Sequence, residues 1–332
     1  MKAAQLIKYD KKDPLIEIRD VNSQPLGAHD LLIRTKTAAV NPLDNLISHG
    51  DLKLVVPYKL PQTMGNEFVG IIEKIGPKVT NFKIGDRIFA RNPVDNIGAF
   101  AQKIVINEKA VAKVPEYLSD QEAAAVPLTA LTAMQAFQLL NLKAGQTLFI
   151  SGGSGSFGAM AIPLAIAQGY KVITTGNETS RARLEKLGVE KFLNYKTEDY
   201  TKAVANVDAV IDTIGGEETV KQLSILKDGG EIVSLKGMPN REFAKKMNMG
   251  LAKELLFNGA ARKIEKEAKK RNQNYHFIFV QANGQQLKEA AKILEKNQIH
   301  PLIGNQYSLT KVNAALADVA QRKSLGKVII NF

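Results

Sequence analysis

The sequence predicts an α/β protein in which a doubly wound, parallel six-stranded sheet is joined to a β-rich domain. After residue 145, apolar segments of strand length alternate with helical segments, whereas before residue 120 short β-rich segments alternate with Gly, Pro, Asn and Asp turns. Strands that are apolar on both faces and separated by helices are typical of a parallel sheet covered by helices on each side. The length of 332 residues also fits two domains.

The first part of the chain is predicted to be an antiparallel, barrel-like module. Strands are expected at Met1–Lys8, Asp30–Ala39, Phe68–Ile75, Arg87–Ala90 and Phe100–Ile106. Their regular spacing and the turn residues between them support this assignment. The pattern changes at Ser119, which is followed three residues later by Glu122 in the spacing of a helical capping box. A helix is therefore predicted to start there.

The second part of the chain supplies the strands of the parallel sheet. These are expected at Thr147–Ser151, Lys171–Thr175, Lys191–Tyr195, Val207–Thr213, Glu231–Leu235 and His276–Val280. Six such strands complete a dinucleotide-binding sheet.

The remaining tail is predicted to return to the first module. It carries two helical segments, Gln286–Lys296 and Leu309–Arg322, and a last strand at Lys327–Phe332. One domain is therefore expected over residues 1–119 together with 282–332, and the other over residues 120–281.

A glycine-rich segment, Ser151–Gly158, is the strongest motif of the sequence. It contains G-x-G-x-x-G between a predicted strand and a predicted helix, the context in which this fingerprint binds the pyrophosphate of a dinucleotide. Glycines permit a tight turn and close backbone approach, and the helix start offers free N–H groups to an anion. The residues expected to bind the cofactor here are Gly153, Gly155, Ser156, Phe157 and Gly158.

The end of the second strand bears on the choice between NAD(H) and NADP(H). Thr175, Gly176 and Asn177, which are also expected to bind the cofactor, close this strand without an acid that would bind the ribose hydroxyls. Arg181 beyond them can pair with a 2′-phosphate. Glu178 argues the other way, although an acid before a helix start has a local electrostatic reason of its own. We expect NADP(H) to be favoured over NAD(H).

Composition excludes several classes of chemistry. The absence of cysteine removes disulfides, thiolate nucleophiles, iron–sulfur clusters and Cys-ligated zinc, and only four histidines remain. No apolar stretch reaches the length needed to span a bilayer and the N-terminus lacks the apolar core of a signal peptide, so we expect a cytoplasmic protein with no membrane partner.

The net charge of +12 favours anionic partners such as phosphorylated cofactors. Much of the excess lies in the run Arg262–Arg271, which alternates enough Glu to be interpreted as a solvated helix face. Nucleic acid is therefore not the expected partner.

The chain resembles the medium-chain dehydrogenase/reductase superfamily and, within it, the zinc-independent quinone oxidoreductase branch typified by zeta-crystallin. The matching segments are VNPLD at Val40–Asp44, GNEFVGIIEKIGPKVTNFKIGDRIFA at Gly65–Ala90, AAVPLTALTA at Ala124–Ala133, the glycine fingerprint, IDTIGG at Ile211–Gly216, KDGGEIVSLKG at Lys227–Gly237 and Asn283–Ile330. The resemblance implies a GroES-like barrel domain built from both chain ends, a Rossmann domain between them, and hydride transfer from NADPH to a quinone or an activated C=C bond.

The resemblance also implies roles for individual residues. Asn41 is expected to line the substrate pocket and donate a hydrogen bond in catalysis, although Asn41-Pro42 is equally a turn signal. Thr132 matches a position close to the nicotinamide ribose, and Tyr195 one near the adenosine phosphate. Leu46 and Phe279 are assigned to the substrate pocket, where Leu46 belongs to a segment that lacks the tyrosine usual in quinone reductases.

No metal is expected. In the segments where metal-dependent relatives hold a catalytic zinc with a Cys and a His, this chain has Asn41 and Asn66, neither of which is a good zinc ligand.

The leading hypothesis is therefore an NADPH-dependent reductase of quinones or α,β-unsaturated carbonyl compounds, acting on a small-molecule substrate as a homodimer. Two alternatives stay open. One is an enoyl-thioester reductase, for which the positive charge would help bind a phosphorylated carrier. The other is a zeta-crystallin-like RNA-binding or structural protein.

Overall fold

The computed structural model describes residues Met1–Phe332, which divide into two compact units. One unit combines Met1–Leu131 with Gln281–Phe332, and the other is Thr132–Val280. The first division falls inside a helix, Pro127–Leu140, whereas the sequence places a boundary before the preceding helix.

The secondary-structure elements are numbered along the chain. The strands are β1 (Lys2–Lys8), β2 (Leu15–Asp20), β3 (Asp30–Val40), β4 (Gln62–Thr63), β5 (Glu67–Ile75), β6 (Arg87–Arg91), β7 (Lys103–Asn107), β8 (Val111–Lys113), β9 (Thr147–Ile150), β10 (Lys171–Gly176), β11 (Lys191–Asn194), β12 (Val207–Asp212), β13 (Leu226–Ser234), β14 (Asn274–Phe277), β15 (Ile303–Ser308) and β16 (Lys327–Asn331). The helices are α1 (Pro42–Ser48), α2 (Asp120–Ala124), α3 (Pro127–Leu140), α4 (Ser156–Ala167), α5 (Arg181–Lys186), α6 (Tyr200–Ala203), α7 (Glu217–Leu223), α8 (Arg241–Lys246), α9 (Leu251–Lys269), α10 (Gly284–Asn297) and α11 (Val312–Gln321).

The second unit is built on the parallel sheet that the sequence predicts. Its strand order is β11-β10-β9-β12-β13-β14, and every neighbouring pair is parallel. Numbered from the first strand of the unit, this is the order 3-2-1-4-5-6 of a doubly wound dinucleotide-binding fold. The predicted fold class is confirmed.

One predicted strand is displaced. The sixth strand is Asn274–Phe277 rather than His276–Val280, because β13, its pairing partner, ends at Ser234, opposite Phe277. Phe279 therefore lies beyond the sheet.

The first unit holds a seven-stranded sheet and a three-stranded sheet. The larger follows the order β15-β16-β3-β5-β6-β8, with β7 also paired to β3, and its pairs are antiparallel except β15 with β16. The C-terminal strand β16 pairs directly with β3, with Val328 opposite Val40. The two ends of the chain therefore share one sheet, and the start of β16 lies beside the end of β3.

A local sequence signal accounts for the start of α2. Ser119 and Glu122 form the predicted capping box at the start of α2. The run Arg262–Arg271, interpreted as a solvated helix face, lies mostly in α9, which buries only Phe257, Ala261, Ile264 and Ala268. The sequence does not predict α8 or the first part of α9. None of the helices combines the length and the apolar character needed to cross a bilayer.

Candidate nucleotide-binding site

The glycine-rich segment forms the turn between β9 and α4, as its sequence context predicts. Gly155 is the N-cap residue of α4, and the first helical hydrogen bond runs from the Ala159 N–H to the Gly155 carbonyl at 2.9 Å. The N–H groups of Ser156, Phe157 and Gly158 therefore precede the first helical bond. Such groups, at the positive end of a helix, are well placed to bind an anion.

The three glycines of the fingerprint serve different purposes. A Cβ atom on Gly158 would lie 2.5 Å from the Cα of Gly153, and one on Gly153 would lie 2.3 Å from the Thr174 Oγ1, so both positions are closed by internal packing. A Cβ on Gly155 would meet nothing nearer than the Gly152 carbonyl oxygen at 3.5 Å. Gly155 therefore borders open space, which a side chain would fill.

The end of β10 supports this turn. The Gly152 N–H donates to the Thr175 Oγ1 at 3.2 Å, and the Gly153 N–H donates to the Thr175 carbonyl at 2.7 Å. The Asn177 N–H donates to the Ser154 Oγ at 3.2 Å. Gly176 has no room for a side chain, because a Cβ there would lie 2.7 Å from the Phe192 ring. The structure thus gives Thr175 and Asn177 contacts that hold the glycine turn in shape.

A second support comes from the end of β12 and was missed at the sequence level. The Thr213 N–H donates to the Ser151 Oγ at 2.9 Å, and the Thr213 Oγ1 donates to the Ser151 carbonyl at 2.8 Å. Asp212, fully buried, accepts the N–H groups of Ile214 and Gly215 at 2.9 and 3.0 Å. The signal was present in the segment IDTIGG, where an acid ends an apolar strand before two glycines.

A cavity of about 760 Å³ opens next to β10. Thr175, Tyr195, Lys196, Ile214 and Lys221 are among its lining residues. Tyr195 is 59% exposed, so its ring is available to a ligand. The structure therefore brings Tyr195 and Thr175, which lie on different predicted strands, to one cavity.

The structure gives Arg181 acidic partners within the protein. Its guanidinium pairs with Glu178 at 2.6 Å, with Glu198 at 3.4 Å and with Glu185 at 3.5 Å, and it lies 4.5 Å from the centroid of the Phe192 ring. The hydrogen bond from Arg181 lowers the pKa of Glu178. Arg181 therefore already has three carboxylate partners, with which a 2′-phosphate would have to compete.

The two other predicted residues of this unit are Thr132 and Phe279. Thr132 lies in α3 and is only 7% exposed. Phe279 is half-buried, and its ring packs at a 62° angle against Phe243 with 6.3 Å between ring centroids.

In the first unit, the structure gives Asn41 a different task from the predicted catalytic one. Asn41 is the N-cap residue of α1 and only 2% exposed, which supports the turn interpretation of Asn41-Pro42. Its Nδ2 donates to the Glu67 Oε1 at 2.8 Å and to the Ala39 carbonyl at 3.3 Å, and its Oδ1 accepts from the Lys327 ammonium. Both amide hydrogens are engaged within the protein, so Asn41 has no spare donor for a substrate carbonyl. Leu46, one turn further along α1, is 42% exposed.

A buried carboxyl group adjoins Asn41. Asp44 accepts the Asn41 N–H at 2.8 Å and the Asn66 Nδ2 at 2.7 Å, and burial raises its pKa to about 7. Glu67, fully buried, accepts the Leu128 N–H at 2.7 Å. Polar groups from α1, β5 and β16 thus form one connected buried network.

Comparison with known proteins agrees with this architecture. Residues 27–116 match the alcohol dehydrogenase GroES-like domain, and residues 187–330 match a family described as zinc-binding dehydrogenase. The quinone oxidoreductase of Mus musculus is 27% identical over 343 residues, covering 99% of this chain and 97% of that protein. The 2-methylene-furan-3-one reductase of Solanum lycopersicum is 27% identical over 342 residues, covering 100% of this chain and 79% of that protein.

A solved structure extends the likeness over the whole chain. The quinone oxidoreductase from Coxiella burnetii superposes with a TM-score of 0.83 at 26% identity, covering 100% of this chain and 99% of that one. Together with the matched domains, the strand order and the position of the glycine turn, this likeness shows that the chain belongs to the medium-chain dehydrogenase/reductase superfamily, in its quinone oxidoreductase branch.

Proposed function

We propose that this protein is an oxidoreductase that uses NADPH to reduce quinones or α,β-unsaturated carbonyl compounds. The observation that carries the proposal is the open space at Gly155, beside three N–H groups that precede the first bond of α4. The turn suits a diphosphate group, since its N–H donors suit an anion and Gly155 has no side chain that would obstruct one. Relatives named quinone oxidoreductase and 2-methylene-furan-3-one reductase support the substrate class.

The residues of the turn would hold the cofactor through its diphosphate. The N–H groups of Ser156, Phe157 and Gly158 would be the donors to its phosphate oxygens, while Thr175 and Thr213 hold the turn in shape. When bound, the dihydronicotinamide supplies a hydride to the electrophilic carbon of the substrate. Because the Asn41 donors are engaged, we assign the proton that completes the reduction to solvent water.

The preference for NADPH over NADH is part of this proposal, but we assign it to Lys196 and Tyr195 rather than to Arg181. Lys196 lines the same cavity as Tyr195, is exposed and forms no ion pair, so its ammonium is available to a 2′-phosphate. Thr132 is proposed to face the nicotinamide ribose, and Leu46 and Phe279 to contribute apolar surface for the substrate. A homodimer is proposed as the working state.

A substrate panel tests the proposal. Purified protein is incubated with NADPH or NADH and with a quinone, an alkenal, an enone or a trans-2-enoyl thioester, with and without a chelator, and the absorbance of the reduced cofactor is followed. We expect saturable NADPH oxidation with a quinone or an enone that a chelator does not change. Turnover confined to the enoyl thioester would favour the alternative reductase, and no turnover with any acceptor would contradict the proposal.

A further inference from the structure

The side chain of Lys327 is buried in the polar network of the first unit. Lys327 opens β16 and its side chain is 4% exposed, which is rare for a lysine. Its Nζ lies 2.7 Å from the Glu67 Oε1 and 2.5 Å from the Asn41 Oδ1. An ammonium can be buried only when it is paired, and these two oxygens supply the pairing.

The surrounding groups are oxygen-rich and already ordered by other contacts. Glu67 is fixed through its second oxygen by the Leu128 N–H, and Asp44 is fixed by Asn41 and Asn66. The ammonium therefore lies at the edge of a cage of two carboxyl groups and two carboxamides, all at most 2% exposed.

The zinc implied by the matched family description does not fit this cage. Zinc in proteins is held mainly by Cys sulfur and His nitrogen, whereas Asn41, Asn66 and Glu67 offer only amide and carboxylate groups. No group of three or more His, Cys, Asp or Glu side chains that could hold a metal ion occurs in the structure. A metal bound to the Glu67 Oε1 and the Asn41 Oδ1 at about 2.1 Å would also occupy the space of the Lys327 ammonium.

We propose that Lys327 is a built-in cation of this cage. Its ammonium occupies the position between the Glu67 and Asn41 oxygens that a metal ion would take, neutralises Glu67 and closes the cage to metal ions. The positive charge is thereby supplied by the C-terminal strand of the chain itself. The same contact ties β16 to β5 and to the end of β3.

Replacing Lys327 with alanine tests the proposal through stability. Lys327→Ala leaves Glu67 buried without its cation and opens a space of the size of n-propylammonium. We expect the thermal midpoint to fall by about 10 °C and to recover partly when n-propylammonium is added. Tetramethylammonium, which has no N–H donor, is expected to give no recovery. The matched control is Lys323→Ala, which removes an exposed lysine of the same region and is expected to respond to neither compound.

A second variant keeps the test decisive if Lys327→Ala does not fold. In Lys327→Met with Glu67→Gln, both charges are removed, so this double variant is expected to be more stable than Lys327→Met alone. Metal analysis of the wild-type protein after incubation with ZnCl2 is expected to find no stoichiometric zinc. Equal stability of the single and double variants, or stoichiometric zinc in the wild-type protein that is lost in Glu67→Gln, would overturn the proposal.

Discussion

Replacing Gly155 with valine is expected to separate nucleotide binding from folding. A Cβ at this position meets no atom closer than 3.5 Å, and the backbone angles of φ −78° and ψ 171° suit a β-branched residue. The structural cost is therefore that of a weaker N-cap, about 1 kcal/mol, which corresponds to a thermal midpoint lower by about 2–4 °C.

The loss of nucleotide affinity is expected to be far larger. The valine side chain fills the space in which the diphosphate is proposed to lie, so contacts with the N–H groups of Ser156 and Phe157 are lost. Hydrogen bonds to a charged group contribute about 1.5–3 kcal/mol each, and losing two of them weakens binding by roughly 10² to 10⁴-fold.

Fluorescence titration with NADPH, together with thermal unfolding of the same samples, measures both effects. The control is Gly259→Val, because Gly259 lies on the exposed face of α9 and an added Cβ there meets nothing within 4 Å. The reasoning is refuted if Gly155→Val folds normally and binds NADPH as tightly as the wild-type protein.

Three further predictions concern other parts of the structure. Gly158→Val is expected to lower the free energy of unfolding by more than about 3 kcal/mol in chemical denaturation, because its Cβ would lie 2.5 Å from the Cα of Gly153. Stability close to that of the wild-type protein would contradict the close contact between Gly158 and Gly153. Lys196→Ala is expected to weaken the affinity for NADPH about tenfold and to leave the affinity for NADH unchanged. Arg181→Ala is expected to change the affinities for both cofactors equally. A loss of affinity for NADPH alone in the Arg181 variant would favour Arg181 as the partner of the 2′-phosphate. Burial raises the pKa of Asp44 to about 7, so the folded state holds this proton more tightly than the unfolded state, and its contribution to stability falls by up to about 4 kcal/mol as pH rises from 4 to above 7. The free energy of unfolding, measured across this pH range, should decrease with rising pH in the wild-type protein and decrease less in Asp44→Asn. An equal pH dependence in both proteins would exclude Asp44 as its source.

Features that depend on neighbouring residues could be predicted from the sequence. The parallel sheet follows from the alternation of apolar strands and helices, and the turn at Gly153–Gly158 follows from its position between β9 and α4. The pairing of Arg181 was also visible, since Glu178 and Glu185 stand three residues before it and four residues after it.

Features that depend on chain topology could not be predicted in this way. The contact between Lys327 and Glu67 joins opposite ends of the chain and exists only because β16 pairs with β3, beside β5. The hydrogen bonds of Asn41 could not be predicted for the same reason, because the partners of its side-chain amide include residues of β5 and β16. A buried polar network of this kind has no local sequence period that would indicate it.

Hydrogen–deuterium exchange with and without NADPH tests the central assignment most directly. The N–H groups of Ser156, Phe157 and Gly158 precede the first bond of α4, so they are expected to exchange rapidly in the free protein. On saturation with NADPH, peptides covering Ser151–Met160 are predicted to exchange more slowly. Unchanged exchange in these peptides, while NADPH binding is saturated, would show that the glycine turn does not hold the nucleotide.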